Sequence, residues 1–139
     1  MRFTKEVVLD KPIDRVRVLT SDPGHLHHWQ PDLVSITQHG DTPGAAGSTA
    51  TLEYRKFTLE ETVLSATADE RISRYATTGM VHTITNRYSV VDDQHTLLVC
   101  DNEFELSGLL KLGRKVVERT LREQVERNVD SFKAFIDAC

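Results

Sequence analysis

Near the end of the chain, Leu110, Val117, Leu121, Val125, Val129, Phe132 and Ile136 recur at steps of three, four and seven residues. That period places apolar side chains on one face of a helix. It predicts a single amphipathic helix from about Ser107 to Ala138, with Gly113 the last residue that resists helix. The other faces carry Lys115, Glu118, Arg119, Arg122, Glu123, Glu126, Arg127, Asp130 and Lys133. Glu118 with Arg122, and Glu123 with Arg127, stand at the four-residue spacing that favours ion pairs. A helix of about 30 residues is roughly 45 Å long, so its apolar stripe needs an extended partner.

The rest of the chain supplies that partner. Phe3, Val7 and Leu9 alternate with Thr4, Glu6 and Asp10, the period of a strand. Pro12 sits in the first turn of a short helix continued by Ile13, Val16 and Leu19, with Asp10 or Lys11 as its cap. Ser21-Asp22-Pro23-Gly24 breaks this helix, and Asp22-Pro23 caps a second one that runs to Trp29 and ends at Gln30-Pro31-Asp32. Six strands follow, near Leu33–His39, Ser48–Arg55, Phe57–Ala66, Arg71–Thr78, Met80–Val90 and Thr96–Leu106. Turn residues separate them at Gly40–Gly44, Ala68–Glu70, Gly79 and Asp92–Gln94. The expectation is one α+β domain over residues 1–139, a sheet wrapped on one closing helix with a cavity between them.

Composition narrows the function. A formal charge of −4 argues against a surface built for phosphate backbones, so no nucleic acid is expected. Lys111, Arg114, Lys115, Arg119 and Arg122 do cluster, but carboxylates interleave from Glu118 onward, and the cluster reads as a solvated helix face. Cys100 and Cys139 form no CxxC pair and read as a buried free thiol and an exposed terminal one. Met1–Glu6 lacks the apolar run of a signal peptide, and no stretch approaches the length of a membrane span. The expected location is the cytoplasm, without stable membrane insertion, and a homodimer is left open. No cofactor and no metal are expected.

The opening strand followed by Asp10-Lys11-Pro12-Ile13-Asp14-Arg15-Val16 resembles a known family. So do Trp29-Gln30-Pro31, the Gly44–Gly47 loop, and Phe132-Lys133-Ala134-Phe135 near the end of the last helix. Together they resemble the START-like (SRPBCC) superfamily, within it the polyketide cyclase/dehydrase and lipid-transport group, over essentially the whole chain. The resemblance implies a helix-grip fold, a curved seven-stranded antiparallel sheet around the C-terminal helix. It also implies an elongated cavity for a hydrophobic ligand.

Alternation on the last two strands proposes the lining. Met80, His82, Ile84, Asn86 and Tyr88 share one face, as do Leu98, Cys100, Asn102, Phe104 and Leu106. The intervening positions are more polar, so these sets face inward. His82, Asn86 and Asn102 are then inward polar groups, which orient a guest or bond to backbone and trapped water. Trp29, Tyr75, Met80, Ile84, Tyr88, Leu98, Phe104, Leu121 and Val125 supply the wall. Trp29 either stacks on a ligand or packs in the core.

His82 is the candidate catalytic group, because imidazole titrates near neutral pH; a structural histidine is the plainer reading. Glu61 reads as exposed; if inward, it pairs with His82 or Arg74. His25, His27 and His28 read as surface histidines, with no carboxylate or cysteine to complete a metal set. The Gly108–Lys115 segment has the glycine spacing of a phosphate loop but not its Lys-Ser/Thr ending, and reads as a helix start. The Gly40–Gly47 loop and the Gly79 turn are candidate gates.

Three functions fit. The first is binding or carrying a small hydrophobic molecule such as a lipid, polyketide or aromatic metabolite. The second is cyclisation, dehydration or hydrolysis in the same cavity with His82 as acid–base group, and the third is a protein-interaction module.

Overall fold

The computed structural model describes residues 1–139. Strand β1 (Arg2–Leu9) leads into α1 (Ile13–Thr20), a 3₁₀ turn at Pro23–His25, and α2 (Leu26–Trp29). Six strands follow: β2 (Leu33–His39), β3 (Thr49–Tyr54), β4 (Thr58–Ala66), β5 (Glu70–Thr77), β6 (Met80–Asp92) and β7 (His95–Leu106). The chain ends in α3 (Leu109–Leu112) and α4 (Arg114–Ala138). The strands form one curved antiparallel sheet in the order β1-β7-β6-β5-β4-β3-β2. Every neighbour is a hairpin partner except β1, which pairs with the last strand.

The alternation seen in the sequence becomes burial. On β7, Thr96, Leu98, Cys100, Asn102 and Phe104 are buried. Their partners on β1 and β6 continue the same face, for example Phe3 opposite Asn102 and Tyr88 opposite Leu98. The main core joins Leu9, Val16, Leu19, Leu98, Cys100, Val129 and Ile136, so α1 and the end of α4 close on β1 and β7. Ile136 is fully buried, and a residue of that size contributes about 1.5–3 kcal/mol by leaving water. A second cluster, Phe3, Phe104 and Val125 with Met1, Met80 and Leu121, fills the other end of the helix–sheet contact. A third, Leu33, Ala50 and Leu52 on β2 and β3, packs against Leu26 of α2 and against Tyr54, Leu59 and Tyr75.

Two expectations about helices change. The C-terminal helix is not one element: it breaks at Gly113 into α3 and α4. Glycine is the poorest helix former after proline, and here its carbonyl starts α4 by accepting from the Val117 N–H at 3.0 Å. Pro12 is the N-cap of α1 rather than part of its first turn, and no side chain caps that helix. Asp22 caps as expected, accepting from the Gly24 N–H at 2.9 Å, but it starts a 3₁₀ turn that feeds the single turn of α2.

Helix α4 lies chiefly against β1 and α2. Strands β2 to β5 curl away beneath it, and the space between is left for a cavity.

Candidate functional site

A cavity of about 220 Å³ lies between the concave face of the sheet and α4, with α1 and α2 at its side. The helices give it an apolar wall of Leu19, Leu26, Trp29, Val129, Phe132 and Phe135. Trp29 meets Phe132 edge-on at 5.3 Å between ring centres. The sheet gives it a polar stripe, because antiparallel register brings the inward polar residues of β4 to β7 side by side. Glu61 stands opposite Tyr75, and Tyr75 opposite His82. Arg71 stands opposite Asn86. Ser73 faces Ile84, which in turn faces Asn102.

His82 is held in one state by its neighbours. The Asn102 Nδ2 lies 3.4 Å from the Cys100 carbonyl and 3.2 Å from the Cys100 Sγ, which fixes it as the amide's donor end. Asn102 Oδ1 is therefore the acceptor, and His82 donates to it from Nε2 at 2.9 Å. That leaves Nδ1 as the ring's lone pair. The ring stacks on Phe104 with centres 3.9 Å apart. Burial pushes the His82 pKa down to about 4 against the opposing effect of Asn102. The imidazole is neutral at pH 7 and is a poor proton donor there.

Glu61 faces inward, contrary to the exposed position expected of it, and is only 8% exposed. Its neighbour is neither His82 nor Arg74 but Arg71, whose Nη2 lies 3.9 Å from Oε2. Arg71 Nε also donates to the buried Ser73 hydroxyl at 3.4 Å. The surroundings respond to that carboxylate. Burial, then the charge of Glu61, push the Tyr54 phenol up to about 12 and hold Tyr75 well above its ordinary range. The Tyr54 hydroxyl donates to Gln30 Oε1, tying β3 to the residue that ends α2. On the other flank burial raises the Tyr88 phenol and the Cys100 thiol.

Asn86 Oδ1 is buried with no hydrogen-bond partner, and so is His25 Nδ1. His25 is only partly at the surface, with 31% of its side chain accessible and Nε2 3.5 Å from Asp22 Oδ2. It ends the 3₁₀ turn as the N-cap of α2, packs on Phe135 at 5.5 Å and lines the cavity. His27 and His28 stay exposed, although His28 stacks on the same Phe135 at 5.6 Å.

Of the residues singled out from sequence, the structure brings Trp29, Tyr75, His82, Ile84 and Asn86 together around this cavity. Tyr88, Leu98, Asn102 and Val125 join them. Met80, Phe104 and Leu121 do not line it. They pack with Phe3 and Met1 where α4 meets the sheet directly. Sequence reasoning missed Arg71, Ser73 and Tyr54. Glu61 shares its strand face with Leu59 and Val63, two residues away on either side, and that is the signal for its inward position. Of the glycines proposed as gates, Gly44 lies beside Arg71: a Cβ there would be 3.5 Å from Nη1. Gly79 instead sits under Leu110 of α3, away from the lining.

Fold and cavity together define a START-like domain, and comparison with known proteins agrees. The sequence profile of the polyketide cyclase / dehydrase and lipid transport family matches residues 1–136, and the chain belongs to that family. No curated protein matches its sequence significantly. Among solved structures it is similar to a START superfamily protein from Mycobacterium smegmatis. The TM-score is 0.76 at 13% identity, covering 99% of this chain and 97% of the other. Norcoclaurine synthase from Thalictrum flavum, in complex with dopamine and hydroxybenzaldehyde, superimposes with a TM-score of 0.72 at 14% identity over 98% of this chain and 86% of that one. The di-domain ARO/CYC protein BexL of the BE-7585A biosynthetic pathway gives 0.72 at 15% identity, covering all of this chain and 50% of BexL. At such identities the likeness shows a shared fold.

Proposed function

We propose that this protein binds and carries a small amphipathic molecule of one or two rings in the cavity between sheet and α4. The observation that carries this reading is the division of the lining: aromatic and aliphatic side chains on the helices face a polar stripe on the sheet. Within that stripe Asn86 Oδ1 is buried without a partner. An orphaned buried acceptor costs about 1–3 kcal/mol, and a guest hydroxyl or amide removes that cost.

Size selects among the ligand classes. A dry cavity of about 150 Å³ takes benzene, so 220 Å³ suits a substituted ring or a small bicycle and is too small to enclose a phospholipid's chains. Norcoclaurine synthase, with dopamine and hydroxybenzaldehyde bound, supports the same range by analogy. The guest's polar end lies along Glu61, Arg71 and Asn86, and its ring lies against Trp29 and Phe132.

A second reading, catalysis in the same cavity, has its own support in the buried Glu61 carboxylate beside Tyr75 and Arg71. In that case the proton carriers are Glu61 and Tyr75, since His82 is held neutral, and His82 Nδ1 acts as a hydrogen-bond acceptor.

Native mass spectrometry of the protein as purified, followed by denaturing extraction, tests the carrier reading. A stoichiometric adduct whose released molecule has one or two rings supports it. A co-purifying long-chain lipid contradicts the size argument.

A further inference from the structure

Helix α3 and the first turn of α4 carry the most exposed apolar side chains of the protein: Leu109 is 85% exposed, Leu112 84% and Val116 75%. Leu109 and Leu112, three residues apart, share a side of the single turn of α3, and Val116 follows in the first turn of α4 across the break at Gly113. Leu110 and Val117 are half-buried, Leu110 against Gly79. The apolar tips are flanked by Lys111, Arg114 and Lys115, none of which takes part in an ion pair of the chain. Arg119 and Arg122, further along α4, are engaged with Glu123 at 3.4 Å and Glu118 at 3.8 Å. From Leu109 to Lys115 the chain carries three cations and no anion, although the whole protein is at −4.

The antiparallel order of the sheet puts the β3–β4 turn, the β5–β6 turn at Gly79 and the β7–α3 connection at the same end of the fold. The β3–β4 turn adds an exposed ring beside one further unpaired cation, Lys56, since Arg55 pairs with Asp32 at 4.0 Å. Phe57 is 51% exposed, stacked on Tyr54, and it follows Arg55 and Lys56.

We propose that this end of the molecule docks reversibly on a bilayer containing anionic phospholipid. Leu109, Leu112 and Val116 enter the headgroup boundary, and Lys111, Arg114 and Lys115 meet the lipid phosphates. Leucines interspersed with unpaired lysine and arginine suit such a surface, where apolar burial and attraction to anionic lipid add. A stable protein interface asks for about 800 Å² from each partner, more than three aliphatic tips offer. No helix is long and apolar enough to cross a membrane, so the contact is peripheral.

The test is co-sedimentation of the full chain with vesicles of phosphatidylcholine alone or mixed with phosphatidylglycerol. Partitioning about tenfold or more stronger onto the anionic vesicles is expected, weakening several-fold as salt shortens the Debye length. Leu109→Asp with Leu112→Asp should reduce it about tenfold with unchanged circular dichroism and melting temperature, both side chains being exposed. Lys111→Glu with Lys115→Glu should abolish the preference for phosphatidylglycerol. Equal retention on both vesicle types, retention untouched by either pair of substitutions, or no retention would overturn the proposal. So would a wild-type dimer in solution that Leu109→Asp with Leu112→Asp dissociates, since the patch would then be covered by a second copy.

Discussion

His82 on β6 donates from Nε2 to Oδ1 of Asn102 on β7 at 2.9 Å, and the same asparagine is anchored through Nδ2 to the backbone and sulfur of Cys100. The pair therefore presents the cavity with a neutral imidazole of fixed tautomer, a hydrogen-bond acceptor rather than a proton carrier. Tyr75 stands between it and Glu61 on the sheet.

This state has a pH signature. Ordinary histidine titrates near 6.5, and His82 in the folded protein near 4. As pH falls below 6.5 the unfolded chain takes up this proton before the folded one, so stability falls through the window from about 6.5 to about 4. The loss amounts to at most about 3 kcal/mol. The aspartates held low by their partners, such as Asp101 beside Arg2, begin to lose their contribution only as pH falls to the ordinary carboxylate pKa near 3.8, at the bottom of this window. Urea unfolding at a series of pH values should show the upper slope in the wild type. It should be flattened in His82→Gln, which keeps a donor for Asn102 but does not titrate.

The Glu61–Arg71 relationship makes a separate prediction. Removing the cation leaves the carboxylate buried with no countercharge. Because Arg71 itself is partly exposed, with 31% of its side chain accessible, the cost is discounted to about 1–2 kcal/mol. Arg71→Gln should therefore lower stability by that amount, and Glu61→Gln in the same chain should restore most of it. A double-mutant cycle by chemical denaturation reads this. Additive effects would mean that the two groups do not interact.

Cavity geometry distinguishes two phenylalanine substitutions. Ile84 lines the cavity, so Ile84→Phe fills open space and should abolish small-molecule binding with little loss of stability. Leu121 packs on Phe3 and Phe104 outside the cavity. Leu121→Phe should leave binding within a few-fold and lower stability by about 1–3 kcal/mol through overpacking. Calorimetric titration and thermal melts of the two proteins make the comparison.

Gly113 can be tested by helix content. Its φ of −97° is open to any residue, and a Cβ there would meet only Val117 Cγ2, at 4.0 Å. Gly113→Ala should raise stability by about 0.5–1 kcal/mol and join α3 to α4. Far-UV circular dichroism would show the added helix. Unchanged ellipticity with lower stability would mean that the break is imposed by packing of Leu110 on Gly79.

The order of elements, the inward faces of β6 and β7, and the stripe on α4 were legible because each depends on a local period. What the period cannot show is depth. Met80 and Ile84 share a face, yet one packs under α4 beside Phe104 and the other lines the cavity. That difference arises from where the helix touches the sheet. His25 was misplaced because a 3₁₀ turn, rather than a regular helix, sets its direction. Arg71 was missed because a long cation at a strand position normally points to water; here it turns inward toward Glu61 and Ser73.

The most direct measurement of the central claim is a ¹H–¹⁵N titration with 2-naphthol, a bicycle with one hydroxyl. It would follow the indole N–H of Trp29, the only tryptophan, with the amides of His82, Asn86 and Leu121. Binding in the cavity should give a saturable one-to-one shift of Trp29, His82 and Asn86, little change at Leu121, and loss of the response in Ile84→Phe. A shift that never saturates, or one that persists unchanged in Ile84→Phe, would contradict it.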